Sequence, residues 1–472
     1  MDSKSNQAPP PDIGAGSDDE KVRRVNVKVS MTLLVVIYTF AFIDRMILNI
    51  LQEPIKIELG VSDARMGLLS GLAFSLLYVG LGIPMARVAE RRSRKAIISA
   101  SIFIWSVMTI LCGQAASFMS LFLARVGVGV GEAGVSPPAH SLISDYFPPS
   151  RRSTALAIYG LGVPLGMLFG AAMGGYIAQL FGWRAAFAIV GAPGIILAIA
   201  AFLFLSEPPR GMSDAAKTTG DSPPPTMHQV LQSLWFTKSI RNVIIAISLS
   251  SFASFGIGAF AASFFIRNYG LDLSTVGLIL GFTGGFGAAI GTLTGGWVAD
   301  WAGRLDRRWY VLAPAISSLI AAPLCAVAFL VSTWQMSAVL LMIAGGLAYV
   351  GFGPSFAIVH NMVPARMRAT SSAMMLFSMN MVGLGLGPFL VGTMSDAIGS
   401  GSMVLPSGMT GSYHALCTNA ALRATQETLD LACQNALSFG VRWALVVCSL
   451  AYAGAGLFYI RSSWTLRSDM QT

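Results

Sequence analysis

Four ionisable side chains lie deep inside long apolar stretches of this sequence: Asp44, Arg45, Arg125 and Glu132. A charge at mid-membrane depth costs roughly 2.5–3.5 kcal/mol even on the lenient insertion scale, so each needs a functional or structural reason. A carboxylic acid poised between desolvation, which favours its neutral form, and a nearby guanidinium, which favours its ionised form, can take up and release a proton. Arginine cannot, because it stays charged. Its planar fork instead holds phosphate or carboxylate bidentately. Asp44 and Glu132 are therefore candidates for proton coupling, and Arg45 and Arg125 for gripping an anionic substrate head. The structural alternative is a buried ion-pair network. No His/Cys cluster has metal-ligand spacing, no Walker motif is present and no nucleophile–base pair stands near an interface. The sequence thus implies no metal, no cofactor, no ATP-driven step and no enzyme. His140 and His360 read as packing residues.

The elements that must position these four groups follow from composition. Apolar types make up 54% of the 472 residues and charged types 11%, against roughly a quarter charged in soluble domains. That excludes a nucleic-acid binder and an ordinary soluble enzyme, and leaves a polytopic membrane protein. Twelve stretches are long enough for the ~20 apolar residues a spanning helix needs. They run 29–52, 65–86, 95–115, 118–146, 153–181, 184–205, 242–268, 274–299, 309–332, 335–362, 369–397 and 436–460. Lys and Arg concentrate at one side, with 23 of 31 on alternate loops and the two tails. By the positive-inside rule both termini face the cytoplasm. The expected fold is all-α, with a disordered tail over 1–28, a six-helix bundle over 29–206, and a Pro-rich linker over 207–240. A second six-helix bundle covers 241–461 and a second tail 462–472. Residues near 230–236 fit a short interfacial helix.

The halves echo each other at an offset of 210. Gly60, Gly67 and Gly71 match Gly270, Gly277 and Gly281, and Ala86, Glu90 and Arg94 match Gly296, Asp300 and Arg304. A parallel repeat places a transport site at the repeat interface. The counterparts of the four buried charges are Ser254, Phe255, Gln335 and Met342, so the charged chemistry is confined to one half. Glycine ladders at 162, 166, 170 and 174, and at 287, 291 and 295, permit close helix approach. They serve either as static packing or as a seam along which the halves rock. Cys417 and Cys433 share one outer loop and are either free thiols or a disulfide.

The loop after the second span reads Ala86-Arg87-Val88-Ala89-Glu90-Arg91-Arg92-Ser93-Arg94-Lys95. It resembles the G-x-L-A-D-R-x-G-R-K loop of the major facilitator superfamily, with Ala, Glu and Ser replacing Gly, Asp and Gly. Its counterpart, Gly296-Trp297-Val298-Ala299-Asp300, keeps the Gly and the Asp. Phe42-Ile43-Asp44-Arg45 in span 1 and the run from Arg125 to Glu132-Ala133-Gly134 in span 4, followed by Asp145-Tyr146-Phe147-Pro148, resemble the Spinster branch. That branch comprises lysolipid and sphingosine-1-phosphate transporters. The resemblance implies that spans 1 and 4 line a central cavity, with Asp44, Arg125 and Glu132 clustered and Arg45 pointing to a neighbouring direction. It also implies that Glu90, Arg94, Asp145, Arg152, Asp300 and Arg304 form a cytoplasmic gate that latches the outward-facing state. Phenylalanines of span 7 (252, 255, 260, 264, 265) and methionines of span 11 (374, 375, 379, 381) could wall a lipid tail, or simply pack.

The resulting expectation is a monomeric, proton-coupled secondary transporter in a cell inner membrane. Its cargo would be a lysophospholipid or a sphingosine-phosphate-like anionic amphiphile. Its partners would be that substrate, protons and membrane lipids, with no nucleic acid. A transporter of small organic anions or drugs on the same scaffold is the rival reading.

Overall fold

The computed structural model describes residues 26–213, 227–364, 367–405 and 409–469. Every regular element among them is helical. The first half comprises α1 (Val27–Ile50), α2 (Gln52–Leu59), α3 (Asp63–Ser70), α4 (Leu72–Arg91), α5 (Arg94–Gly113), α6 (Phe118–Ala133), α7 (Ser136–Tyr146), α8 (Pro149–Gly160) and α9 (Gly162–Phe204). A short α10 (Met227–Phe236) leads into the second half. There follow α11 (Lys238–Tyr269), α12 (Leu273–Gly303), α13 (Trp309–Ala328), α14 (Trp334–Tyr349), α15 (Phe352–Met362) and α16 (Arg368–Met379). A π-helical segment over Asn380–Leu386 continues into α17 (Gly387–Ser402), and α18 (Tyr413–Cys417), α19 (Ala420–Thr425) and α20 (Glu427–Asp469) complete the chain.

Local chemistry sets many of these starts. The side chains of Asn26, Ser62, Ser93, Ser117 and Asp272 each accept a backbone N–H of the first turn, satisfying donors that a helix leaves open. Among the described residues, eleven helical stretches are long and apolar enough to cross a membrane, one of them the 51-residue Thr154–Phe204. Straight, that stretch would run about 77 Å at 1.5 Å per residue, more than twice a ~30 Å hydrocarbon core. Gly182 folds it back at φ 80° and ψ 164°, a conformation that needs glycine. The stretch therefore holds two crossings, and the total is twelve.

Some boundaries differ from the sequence reading. Helix α1 already begins at Val27, while residues 1–25 of the expected tail lie outside the described residues. The second tail is largely helical, because α20 continues to Asp469. Its last turns pack on the start of α11: Ser239 N–H donates to Asp469, and the Ser462 hydroxyl donates to Ser239 O. The expected linker contains α10 and the first turn of α11, and its stretch 214–226 lies outside the described residues.

The internal repeat is physical. Gly60 and Gly270 both end a helix in the left-handed conformation, at φ 59° and 65°, where a Cβ is strained. Their partners at the same offset line the two seams between the halves. A Cβ on Gly67 or Gly71 would strike the backbone oxygens of Pro388 and Gly385. One on Gly277 or Gly281 would strike those of Ala171 and Leu168. The longer glycine ladders do something else. Gly162, Gly166 and Gly170 abut α1, and Gly291 and Gly295 abut Gly346 and Val350. These are packing contacts within each half, so the ladders do not lie at the seams between the halves.

Cys417 and Cys433 are joined as a disulfide with Cα atoms 5.4 Å apart. The bond staples α18 to α20 around buried Tyr413, Leu416 and Leu429. Closing a loop of this length contributes about 3 kcal/mol on chain-entropy grounds. Cys433→Ser is expected to lower the thermal unfolding midpoint of purified protein under non-reducing conditions. An unchanged midpoint would show that the staple adds nothing.

Candidate functional site

Asp44 and Glu132 each meet one arginine, and both pairs bridge α1 to α6. Asp44 and Arg125 are both 2% exposed and lie 3.1 Å apart. Thr109 of α5 donates to the other Asp44 oxygen at 2.5 Å. Arg45 donates to Glu132 Oε2 from Nε at 2.8 Å and from a terminal nitrogen at 2.6 Å. The sequence reading grouped Glu132 with Asp44 and Arg125 and turned Arg45 aside; the structure instead pairs Arg45 with Glu132. Adjacent residues on α1 project about 100° apart, and residues seven apart on α6 share a face two turns apart. Two parallel cross-links result.

The two pairs differ in completeness. Both Asp44 oxygens are occupied, whereas Glu132 Oε1 is buried with no partner among the described residues. Arg45 is also enclosed by aromatic rings, with Phe42, Phe74 and Tyr78 centroids 4.8, 4.8 and 4.5 Å from its guanidinium carbon. Such cation–π contacts strengthen when desolvated. Sequence spacing gave no sign of Tyr78 or Thr109 in these roles.

A small cleft opens beside the pairs. Arg45 and Arg125 line it together with Phe42, Met46, Phe74, Phe255, Leu384 and Pro388, and Asn49 and Ser70 add polar edges. Asp44 and Glu132 stand behind the arginines and do not line it. Leu384 belongs to the π-helical segment and Phe255 to α11, so both halves supply wall. Of the span 7 phenylalanines only Phe255 reaches this cavity, whereas Phe260, Phe264 and Phe265 are fully buried in the second-half core.

The face carrying the start of α1 and the end of α20 holds the candidate gate residues. Arg94 pairs with both Asp145 and Glu207, and also donates to Ser141. Asp145 thus binds Arg94, while Arg152 donates to the carbonyls of Ser144 and Phe147. Burial pushes the Glu207 carboxyl up, but the Ser93 hydroxyl, the Lys95 backbone N–H and Arg94 outweigh it and hold it below the usual range. Glu207 thereby caps α5 from the far end of the first half. In the second half, Asp300 accepts the Tyr310 hydroxyl at 2.8 Å and Asp306 pairs with Arg467. All of these bonds stay within one half. The side chains of Glu90 and Arg304 are exposed and form no hydrogen bond or ion pair with described residues.

Cross-half ion pairs lie on the opposite face. Arg267 of α11 grips Asp63 with two nitrogens at 2.7 Å and also binds Glu53, and Lys56 holds Asp63 at 2.5 Å. Ser395 of α17 donates to Asp63 at 2.6 Å. Asp396 accepts the backbone N–H groups of Asp63 and Ala64 at 3.2 and 2.8 Å. Sequence analysis assigns Lys56 and Arg267 no role beyond the overall charge bias. Three acids and two bases clustering at span ends on one side were the available signal.

The comparisons with known proteins agree with the fold. The family description "Major Facilitator Superfamily" matches residues 34–388. An MFS-type efflux pump of Mycolicibacterium smegmatis is 33% identical over 366 residues, covering 78% of this chain and 84% of that protein. The sphingosine-1-phosphate transporter SPNS2 of Xenopus tropicalis is 25% identical over 464 residues, covering 91% and 80%. A crystal structure of a bacterial homologue of the human lysosomal transporter Spinster, inward-facing and unoccupied, superposes with a TM-score of 0.83. It is 31% identical, and the match covers 96% of this chain and 99% of that one.

Proposed function

This chain belongs to the Major Facilitator Superfamily as a Spinster-like, multi-pass membrane transporter and not an enzyme, and on that premise we propose that it moves a single-chain anionic amphiphile coupled to protons. The observation that carries this reading is the arrangement of the cavity: two arginines face an otherwise mostly apolar space, with their acid partners behind them. An anionic head on the arginines and an alkyl tail along Phe42, Phe255 and Leu384 would satisfy both surfaces. A lysophospholipid or a sphingosine-phosphate-like lipid has that form.

Glu132 is the better proton carrier of the two acids, since it alone has an unoccupied oxygen. While ionised it neutralises Arg45. Protonation ends that neutralisation, and Arg45 then seeks another anion, which the cavity admits. Asp44, with its oxygens occupied by Arg125 and Thr109, holds Arg125 in place. Proton uptake and substrate binding thus favour one another.

We read the two halves as bundles joined by the 207–240 stretch, working as a monomer in a cell inner membrane with both termini cytoplasmic. The cross-half ion pairs then close the outer face. Likeness to an inward-facing Spinster homologue supports that assignment. The alternative, a carrier of small organic anions or drugs, is favoured by Asn49 and Ser70 at the cavity edge and by the likeness to an efflux pump.

Binding competition separates the two. Affinity for phosphate-headed single-chain lipids is expected to rise with tail length, and Arg45→Ala is expected to weaken it about tenfold, a loss of about 1.4 kcal/mol. Equal affinity for tail-less organic phosphates would favour the small-anion carrier. Unchanged affinity in Arg45→Ala would remove Arg45 from the headgroup site.

A further inference from the structure

The charged cluster on the face away from the termini has an imbalance that the transport site does not use. Its buried acids are Glu53, Asp63 and Asp396, and its bases are Lys56 and Arg267. Arg267 is committed to Glu53 and Asp63, and Lys56 to Asp63. Asp396 is left over. Among the described residues no Lys, Arg or His comes within ion-pair distance of its carboxylate. Tyr413 of α18, with Arg423 beyond it, is the further titratable group in the electrostatic surroundings.

What Asp396 does hold is the other half of the molecule. Its two oxygens accept the first two backbone N–H groups of α3. The next N–H, of Arg65, goes to Ser62. A carboxylate on α17 therefore completes the N-terminal cap of a helix from the first half, where the helix dipole favours negative charge. Backbone contact reinforces the docking: a Cβ on Gly392 would strike Asp63 O, and one on Gly67 would strike Pro388 O. One turn after Gly67, Gly71 breaks the helix at φ −104° and ψ −94°, separating α3 from α4. Helix α3 is thus a separate segment docked on the second half.

We propose that Asp396 is a proton-operated latch: ionised, it caps α3 and keeps this face shut, and protonated, it releases α3 so that the halves can part here, with Gly71 as the hinge. A protonated carboxyl keeps one acceptor oxygen and turns its hydroxyl into a donor facing an N–H. One of the two cap bonds is then lost, and the charge that favoured the helix terminus is gone. The same proton removes the one negative charge that the cluster leaves unbalanced. This latch is separate from Glu132 and depends on no particular substrate.

The test uses spin labels at two exposed positions, Ile57 on α2 and Ser400 on α17, in the full chain reconstituted in liposomes. A Glu132→Gln parent silences the cavity acid. In that parent, acidification is expected to lengthen the inter-label distance. Adding Asp396→Asn should leave the long distance populated at every pH and erase the response. Asp396→Glu, which keeps an ionisable group and a similar shape, should retain a pH response with a shifted midpoint. It serves as the deciding variant if the Asn form does not fold. No pH response in the parent, a response that survives Asp396→Asn, or none in Asp396→Glu would each overturn the latch.

Discussion

Glu132→Gln is expected to abolish uphill uptake driven by a pH gradient, down to the level of protein-free liposomes, while gradient-free exchange of substrate across the membrane continues. Glutamine matches the protonated acid in shape and lacks the charge that neutralises Arg45. Arg45 would then be permanently available to an anion, still held among Phe42, Phe74 and Tyr78. Binding and exchange need no proton in that state, but net proton-driven movement needs the carboxyl to load and unload. The same substitution at Asp44 has a different expected signature, because Asp44 has both oxygens occupied and supports Arg125. Counterflow and gradient-driven flux, measured on one preparation, distinguish the two roles. If Glu132→Gln keeps gradient-driven flux, the carboxyl is not the proton carrier.

Arg125→Met is expected to be the most damaging single change for stability, by about 3–5 kcal/mol. It leaves the Asp44 carboxylate buried without its cation. Only the Thr109 hydroxyl would remain on an acid that is 2% exposed. Replacing both partners removes the orphaned charge, so Asp44→Asn with Arg125→Met should recover most of the loss. Thermal unfolding of detergent-solubilised protein reads the cycle. A single variant as stable as the double would mean that the pair contributes no coupling.

The fold was largely legible before the structure. Long apolar runs identify crossings because the hydrocarbon core fixes their length. Even the fold-back within 154–204 was placed correctly between 181 and 184, where Gly182 sits. The four charges deep in spans 1 and 4 were equally plain, since they stand in the middle of long apolar runs, whereas Asp145, Arg267 and Asp396 fall at span ends. Their pairing was not legible. A rotation of one helix by a fraction of a turn decides whether Glu132 joins Asp44 and Arg125 or meets Arg45, and periodicity alone does not fix that rotation. The cluster of Asp63, Arg267 and Asp396 was hidden for another reason. Its members are separated by 204 and 333 positions and meet only because the halves pack. The glycine ladders illustrate the converse limit: spacing showed that a backbone approaches closely, but not which helix approaches. The aromatic enclosure of Arg45 depends on Tyr78, whose partner is 33 residues away on another helix.

The decisive measurement is uptake of a lysophospholipid by proteoliposomes under an imposed pH gradient, with a tail-less organic phosphate as the paired substrate. Proton-coupled transport of an anionic amphiphile predicts gradient-dependent accumulation of the lipid, abolished by Glu132→Gln, and little uptake of the tail-less anion. Lipid uptake indifferent to the gradient, or equal accumulation of the tail-less anion, would contradict it.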